Sequence, residues 1–258
     1  MNRVLSRVFY WVIVGILFAP LALMVAMSFK DAPFVGFPIG GVTFGWYVAA
    51  IADPDAVRAF FYSLGIAAAS AMLAVAAGVW IALAIDDIAR PGLRFALFCG
   101  AAIPLVTPGI VSAIAMRMFV RLVGIDPGPV AVALGHAAHA APFAVIMVGI
   151  RLRTMPRTLL EAARDLGAGA LRGFLCVTLP WLRPAIAGAG LLAMLESFDD
   201  FLRSFFLSGV RPTLPVLIYA RLHSGLSPEI NAIAALVLIL TLAFGFSAER
   251  QLRRAGAR

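Results

Sequence analysis

The chain has 258 residues, 62% hydrophobic and only 13% charged, with a mean hydropathy of +0.99. An ordinary soluble domain is about one quarter charged, so this composition excludes a soluble globular protein, a disordered chain and a collagen-like repeat. The net charge is +8, yet the basic residues lie scattered between apolar segments with no aromatic–basic face, which argues against nucleic acid as a partner.

In chain order, Met1 to Arg7 is basic and runs into the uncharged stretch Val8–Phe29. A signal-peptide core is only about 7–15 residues long, so a retained signal-anchor helix is predicted. Further uncharged runs cover Ala59–Ile85, Phe95–Met116, Pro127–Ile150 and Ile230–Ala248, and a sixth apolar run, Pro184–Leu207, is interrupted by charges. Alanine and leucine dominate and period-2 alternation is missing, so these read as helices rather than barrel strands. The expectation is an all-α polytopic membrane protein, one transmembrane domain over 1–258. Its six transmembrane helices would lie at about 8–29, 59–85, 95–116, 129–150, 184–207 and 230–248.

Six spans put both termini on one side. With the N-terminus inside, fourteen arginines fall on cytoplasmic segments: 3, 7, 90, 94, 151, 153, 157, 164, 172, 183, 250, 253, 254 and 258. Only Lys30, Arg58, Arg121, Arg211 and Arg221 fall outside, and the positive-inside rule favours this orientation. The outer connection carries Phe37-Pro38 and Trp46-Tyr47, which suit either a headgroup belt or a docking surface. The third span holds Pro104 and Pro108, which predict a kink that serves a gate or reflects irregular packing. His136 and His139 share a face of span four, but no further ligands stand nearby, so they read as packing and no metal site is expected. Cys99 and Cys176 are isolated and read as small apolar residues.

Between spans four and five lies a long cytoplasmic connection, 151–183. Met155-Pro156-Arg157 places proline at a helix start, Glu161-Ala162-Ala163-Arg164-Asp165-Leu166 continues it, and Gly167 suits a C′ position. A second short helix is expected from about Gly169 to Val177, ending near Leu179-Pro180, with Pro184 opening span five. Small residues, Ala162, Ala163 and Ala168, allow another protein's backbone to approach closely.

This stretch, Glu161-Ala162-Ala163 with Gly167 and then Leu179-Pro180, resembles the EAA loop of ATP-binding-cassette importer permeases. The series Ser197-Phe198-Asp199-Asp200-Phe201, Thr213-Leu214-Pro215 and Ser227-Pro228-Glu229-Ile230-Asn231 is similar to the second permease subunit of the spermidine/putrescine branch. Where that branch usually has Asn-Ser at the opening of span two, this chain has Tyr62-Ser63. The resemblance implies a type I importer permease (MetI-like) fold. It also implies ATPase-coupling roles for Glu161, Ala162, Ala163, Asp165, Leu166, Gly167, Ala168, Leu179 and Pro180. Implied partners are two ATPase subunits, a second homologous permease and a periplasmic or extracellular binding protein, in a bacterial inner membrane.

ATP and Mg would belong to the partner ATPase. Lys30 is the only lysine and no glycine-rich loop precedes it, so the chain has no Walker A site, and no nucleophile–base–acid order is recognisable. The chain is therefore expected to be a transport subunit without a cofactor, not an enzyme.

Glu196, Asp199, Asp200 and Arg203 interrupt span five, about 18 Å past Pro184 for Glu196. A charge at the bilayer centre costs roughly 2.5–3.5 kcal/mol on insertion scales, so these need a reason. One reading makes Glu196, Asp199 and Asp200, with Phe201 and Tyr219 as cation–π partners, a pathway for a cationic solute. The other pairs Asp199 with Arg203, and Glu196 or Asp200 with Arg117. Polyamines are the solute that the resemblance implies; aminophosphonates, opines and amino-acid-like compounds are alternatives, and a stand-alone secondary transporter or membrane enzyme is the rival class.

Overall fold

A computed structural model describes residues 3–33, 36, 40–225 and 227–256; Phe37-Pro38 lie outside these. The described elements are helical, and the chain divides into two compact units, 1–58 with 217–245 and 59–216 with 246–258. Four helices are long and apolar enough to cross a membrane, Leu5–Ser28, Pro54–Asp86, Pro129–Arg153 and Ala170–Asp199. A bent pair makes a fifth crossing if counted as one span, and Pro228–Ala243 is a shorter apolar helix.

In the first unit, α1 (Arg3–Ser28) exposes Trp11, Ile16, Leu17 and Phe18, an apolar surface fit for lipid or another chain. The connection after α1 is tied to α2 (Gly45–Ala52) by polar groups. Trp46 Nε1 donates to the Lys30 carbonyl at 2.8 Å, the Tyr47 and Ser28 hydroxyls meet at 2.6 Å, and Phe29 packs on Phe44 and Tyr47. The polar ends of Trp46 and Tyr47 are thus spent within the chain, while Phe44 and Val48 face outward. Arg221 of α11 (Leu214–Ser224) reaches Asp53 at 2.5 Å and Glu229 of α12 (Pro228–Gly256) at 3.4 Å. Burial pushes the Asp53 carboxyl up, but Arg221 and the Asp55 N–H outweigh it and hold its pKa below the usual carboxylate value.

The second unit is built on α3 (Pro54–Asp86), α6 (Pro129–Arg153) and α9 (Leu179–Asp199). Their seams are small: Ala71, Ala74, Ala137, Ala140 and Ala193 form one buried cluster, and Val79, Ala82, Val148, Leu152 and Leu182 another. Lipid tails are as apolar as leucine, so helix association relies on close van der Waals packing, which small residues allow. Gly78 is the tightest approach: a Cβ there would run into Ala144 and stand 3.1 Å from its carbonyl carbon and from Val145 N. Gly78→Val is therefore expected to force α3 off α6 and lower the temperature of complex dissociation by several degrees, measured by thermal size-exclusion; an unchanged profile would show that the seam yields.

The third predicted span is two helices, α4 (Pro91–Val106) and α5 (Gly109–Leu122), bent by 102°. The bend does not fall at Pro104, which α4 absorbs, but at Thr107-Pro108. Proline disfavours the helical region for its predecessor, and Thr107 takes ψ 128 and Pro108 ψ 132. A cavity of about 320 Å³ opens at this bend, lined by Thr107, Ser112, Met116, Phe119, His139 and Arg203 among others.

The expected stop at Leu179-Pro180 is also corrected. After α7 (Arg157–Asp165), helix α8 (Ala170–Gly173) passes through a π turn, Phe174–Thr178, straight into α9. The Leu179 N–H bonds the Phe174 carbonyl five residues back. This wider turn admits Pro180, which has no N–H to give, without ending the helix. The fifth span instead breaks at Asp200, with α10 (Phe201–Leu207) beyond.

Candidate functional site

Two regions hold the residues singled out in the sequence. The first is α7 and its exit. Pro156 sits at the N-cap with ψ 123, and the end of α7 is a Schellman turn. Gly167 N–H bonds the Arg164 carbonyl at 2.8 Å, Ala168 N–H bonds that of Ala163 at 2.9 Å, and Gly167 has φ +78. Glu161, Ala162, Asp165, Leu166 and Gly167 are exposed and Ala163 and Ala168 half-buried, with Leu166 87% exposed. Leu160 reaches back toward Gly173 of α8. Leu179 and Pro180 stand apart from this surface, half-buried at the start of α9.

The two ends of the connection are clamped together. Arg151 Nε donates to the Trp181 carbonyl and Trp181 Nε1 donates to the Arg151 carbonyl, each at 3.1 Å, while the guanidinium lies 4.3 Å over the indole. Neither residue carried a signal in the sequence, since an arginine and a tryptophan thirty positions apart have no periodic relation.

The second region is the α9–α10 break. Asp200 is extended, with ψ 98, and caps α10: its Oδ1 accepts from the Arg203 N–H at 2.9 Å, and its Oδ2 pairs with the Arg203 guanidinium. Arg203 also donates to Ser112 Oγ of α5 at 3.1 Å. The expected Asp199–Arg203 pair is replaced by Asp200–Arg203, because the break ends the helical spacing on which i, i+4 pairing depends. Among the described ion pairs, none joins Arg117 to Glu196 or Asp200. Glu196 and Asp199 are exposed, and Asp200 is not. Phe201 packs on Phe205, and Tyr219, in the first unit, lies against the tilted ring of His223.

Behind the break lies a buried polar chain through His136, where packing alone was expected. His136 Nδ1 lies 2.7 Å from Ser197 Oγ, and its Nε2 lies 3.2 Å from Ser204 Oγ. Ser197 Oγ lies 2.9 Å from Ser70 Oγ, whose hydroxyl bonds the Ile66 carbonyl.

The chain is 33% identical over 253 residues to the putrescine transport system permease protein PotI of Escherichia coli strain K12, covering 93% of this chain and 87% of the relative. It belongs to the polyamine transport-system permeases. It is 32% identical over 245 residues to the spermidine/putrescine transport system permease protein PotC of the same strain, covering 93% and 91%. No family model matches the sequence. The fold is that of ABC importer permeases. A bacterial ABC transporter involved in the import of alginate aligns with TM-score 0.76 at 16% identity, over 97% of this chain and 95% of the other. The MetNI methionine ABC transporter, in an inward-facing form, aligns with TM-score 0.65 at 23% identity, over 77% and 94%. This permease is thus a multi-pass membrane transport subunit, and its relatives are permeases rather than enzymes.

Proposed function

We propose that this permease is one transmembrane half of an ATP-driven importer for polyamines, in a bacterial inner membrane with both termini cytoplasmic. The observation that carries the reading is α7, a capped helix that presents Glu161, Ala162 and a bare Leu166 at the connection between α6 and α9. An apolar side chain 87% exposed at the end of a short capped helix suits the cleft of a partner ATPase. ATP and Mg act on that partner. Two ATPase subunits, a second permease and an external binding protein complete the assembly. A solved transporter of the same fold is described in complex with a pentasaccharide-bound periplasmic protein, which supports the last of these.

Glu196 and Asp199, exposed near the end of α9, offer carboxylates to a cationic solute, and the relatives named for putrescine and spermidine support that class. The internally neutralised Asp200–Arg203 pair favours a second reading, a zwitterionic amino-acid-like solute. The deciding experiment is uptake of labelled spermidine and putrescine by cells carrying the complete transporter set. Saturable uptake that needs the binding protein is expected. An assembled, ATP-hydrolysing complex that moves neither polyamine would overturn the substrate.

A further inference from the structure

The buried chain through His136 has a definite direction. A backbone carbonyl only accepts, so the Ser70 hydroxyl gives its proton to Ile66 O. Ser70 Oγ must then accept from the Ser197 hydroxyl, 2.9 Å away. Ser197 Oγ, its own proton committed, accepts from His136 Nδ1 at 2.7 Å. The imidazole is therefore the neutral Nδ1–H tautomer, and its Nε2 accepts from the Ser204 hydroxyl at 3.2 Å. Every proton in the chain is used once.

The placement of these groups gives the chain a purpose. Ser197 lies on α9, three residues before Asp200, and Ser204 on α10, four residues after it. His136, 2% exposed on α6, is bonded to both sides of the break. A break in a membrane helix frees backbone groups and leaves the two halves to pivot unless something spans them. Asp200 secures only the start of α10, through its bond to the Arg203 N–H.

We infer that His136 is a positioning residue of the transport pathway: its two ring nitrogens fix α9 and α10 in one register across the break, and so fix where Asp199 and Asp200 stand. The link to solute rests on the polyamine reading above; the link to register does not.

The test uses the assembled transporter in nanodiscs, with hydrogen exchange of the Phe201–Leu207 amides as the first readout. His136→Ala is expected to speed exchange in α10 tenfold or more, with α7 unaffected. Ser204→Ala removes one hydroxyl with little change of volume and is expected to do the same to a smaller degree. The second readout is the apparent KM for putrescine, expected to rise about tenfold in His136→Ala with a smaller change in maximal rate. His136→Asn keeps a donor at the Nδ1 position and is expected to recover the Ser197 bond and part of the KM. Exchange in α10 unchanged in both alanine variants, with the complex assembled, would overturn the inference. If the unmodified transporter moves no polyamine, the substrate reading falls and the exchange result still decides the register role.

Discussion

Replacing Gly167 with valine is expected to separate ATP hydrolysis from uptake. The residue sits at φ +78 with nothing within 4 Å of where a Cβ would stand, so the penalty comes from the backbone alone. A left-handed conformation costs a non-glycine residue roughly 1–2 kcal/mol, and a β-branched one is a genuine outlier there. Valine therefore pulls the chain out of the Schellman turn, losing the bonds from Gly167 and Ala168 to the α7 carbonyls, and α7 frays at the end that carries Leu166. In proteoliposomes, uptake should fall at least tenfold while ATPase activity stays within about twofold. Gly167→Asn is the control, because asparagine tolerates this conformation, and it should keep most uptake. Normal uptake by the valine variant would count against a coupling role for α7.

The second large effect is expected at Arg203. Its guanidinium and the Asp200 carboxylate are each only 8% exposed, and both also bond outside the pair, Asp200 to a backbone N–H and Arg203 to Ser112. Removing one partner of a buried pair leaves an uncompensated charge and costs about 3–5 kcal/mol, whereas removing both charges is often close to neutral. Arg203→Ala should therefore abolish or sharply reduce assembled complex in membranes. Asp200→Asn with Arg203→Gln should restore most of it, since both amides keep hydrogen-bonding capacity. A double variant no better than the single one would show that the pair serves something other than mutual neutralisation. The cycle of four proteins separates these outcomes.

Much of the architecture was readable from hydropathy, because an apolar run of span length has few alternatives in lipid. The exit of α7 was readable for a similar reason: Gly167 after Glu161–Leu166 is a local signal, and a left-handed C′ residue is a local event. The prolines were harder. Pro104, Pro180 and Pro184 all lie inside helices, while Pro108 marks a 102° bend. Which proline breaks a helix depends on whether a neighbour or a wider turn takes up the freed carbonyl, and that is a tertiary matter. The charges in span five failed for a related reason. Spacing arguments assume an unbroken helix, and Asp200 is itself the break. His136 reads from the sequence as packing, because its two serine partners lie on α9 and α10, and the next link, Ser70, on α3, none with a spacing that relates it to His136.

The π turn has a mechanical corollary. Because Phe174–Thr178 carries the helix past Pro180, residues Ala170–Asp199 form one continuous helix of 30 residues, about 45 Å along its axis at 1.5 Å per residue. An unbroken helix couples the movement of its two ends. A tilt of only a few degrees about its middle, where α6 packs along it, swings its two ends by an ångström or more in opposite directions. One end adjoins Gly169 and the α7 exit; the other bears Glu196 and Asp199. A displacement at the end next to α7 would therefore reach Glu196 and Asp199 at the far end with its sense reversed.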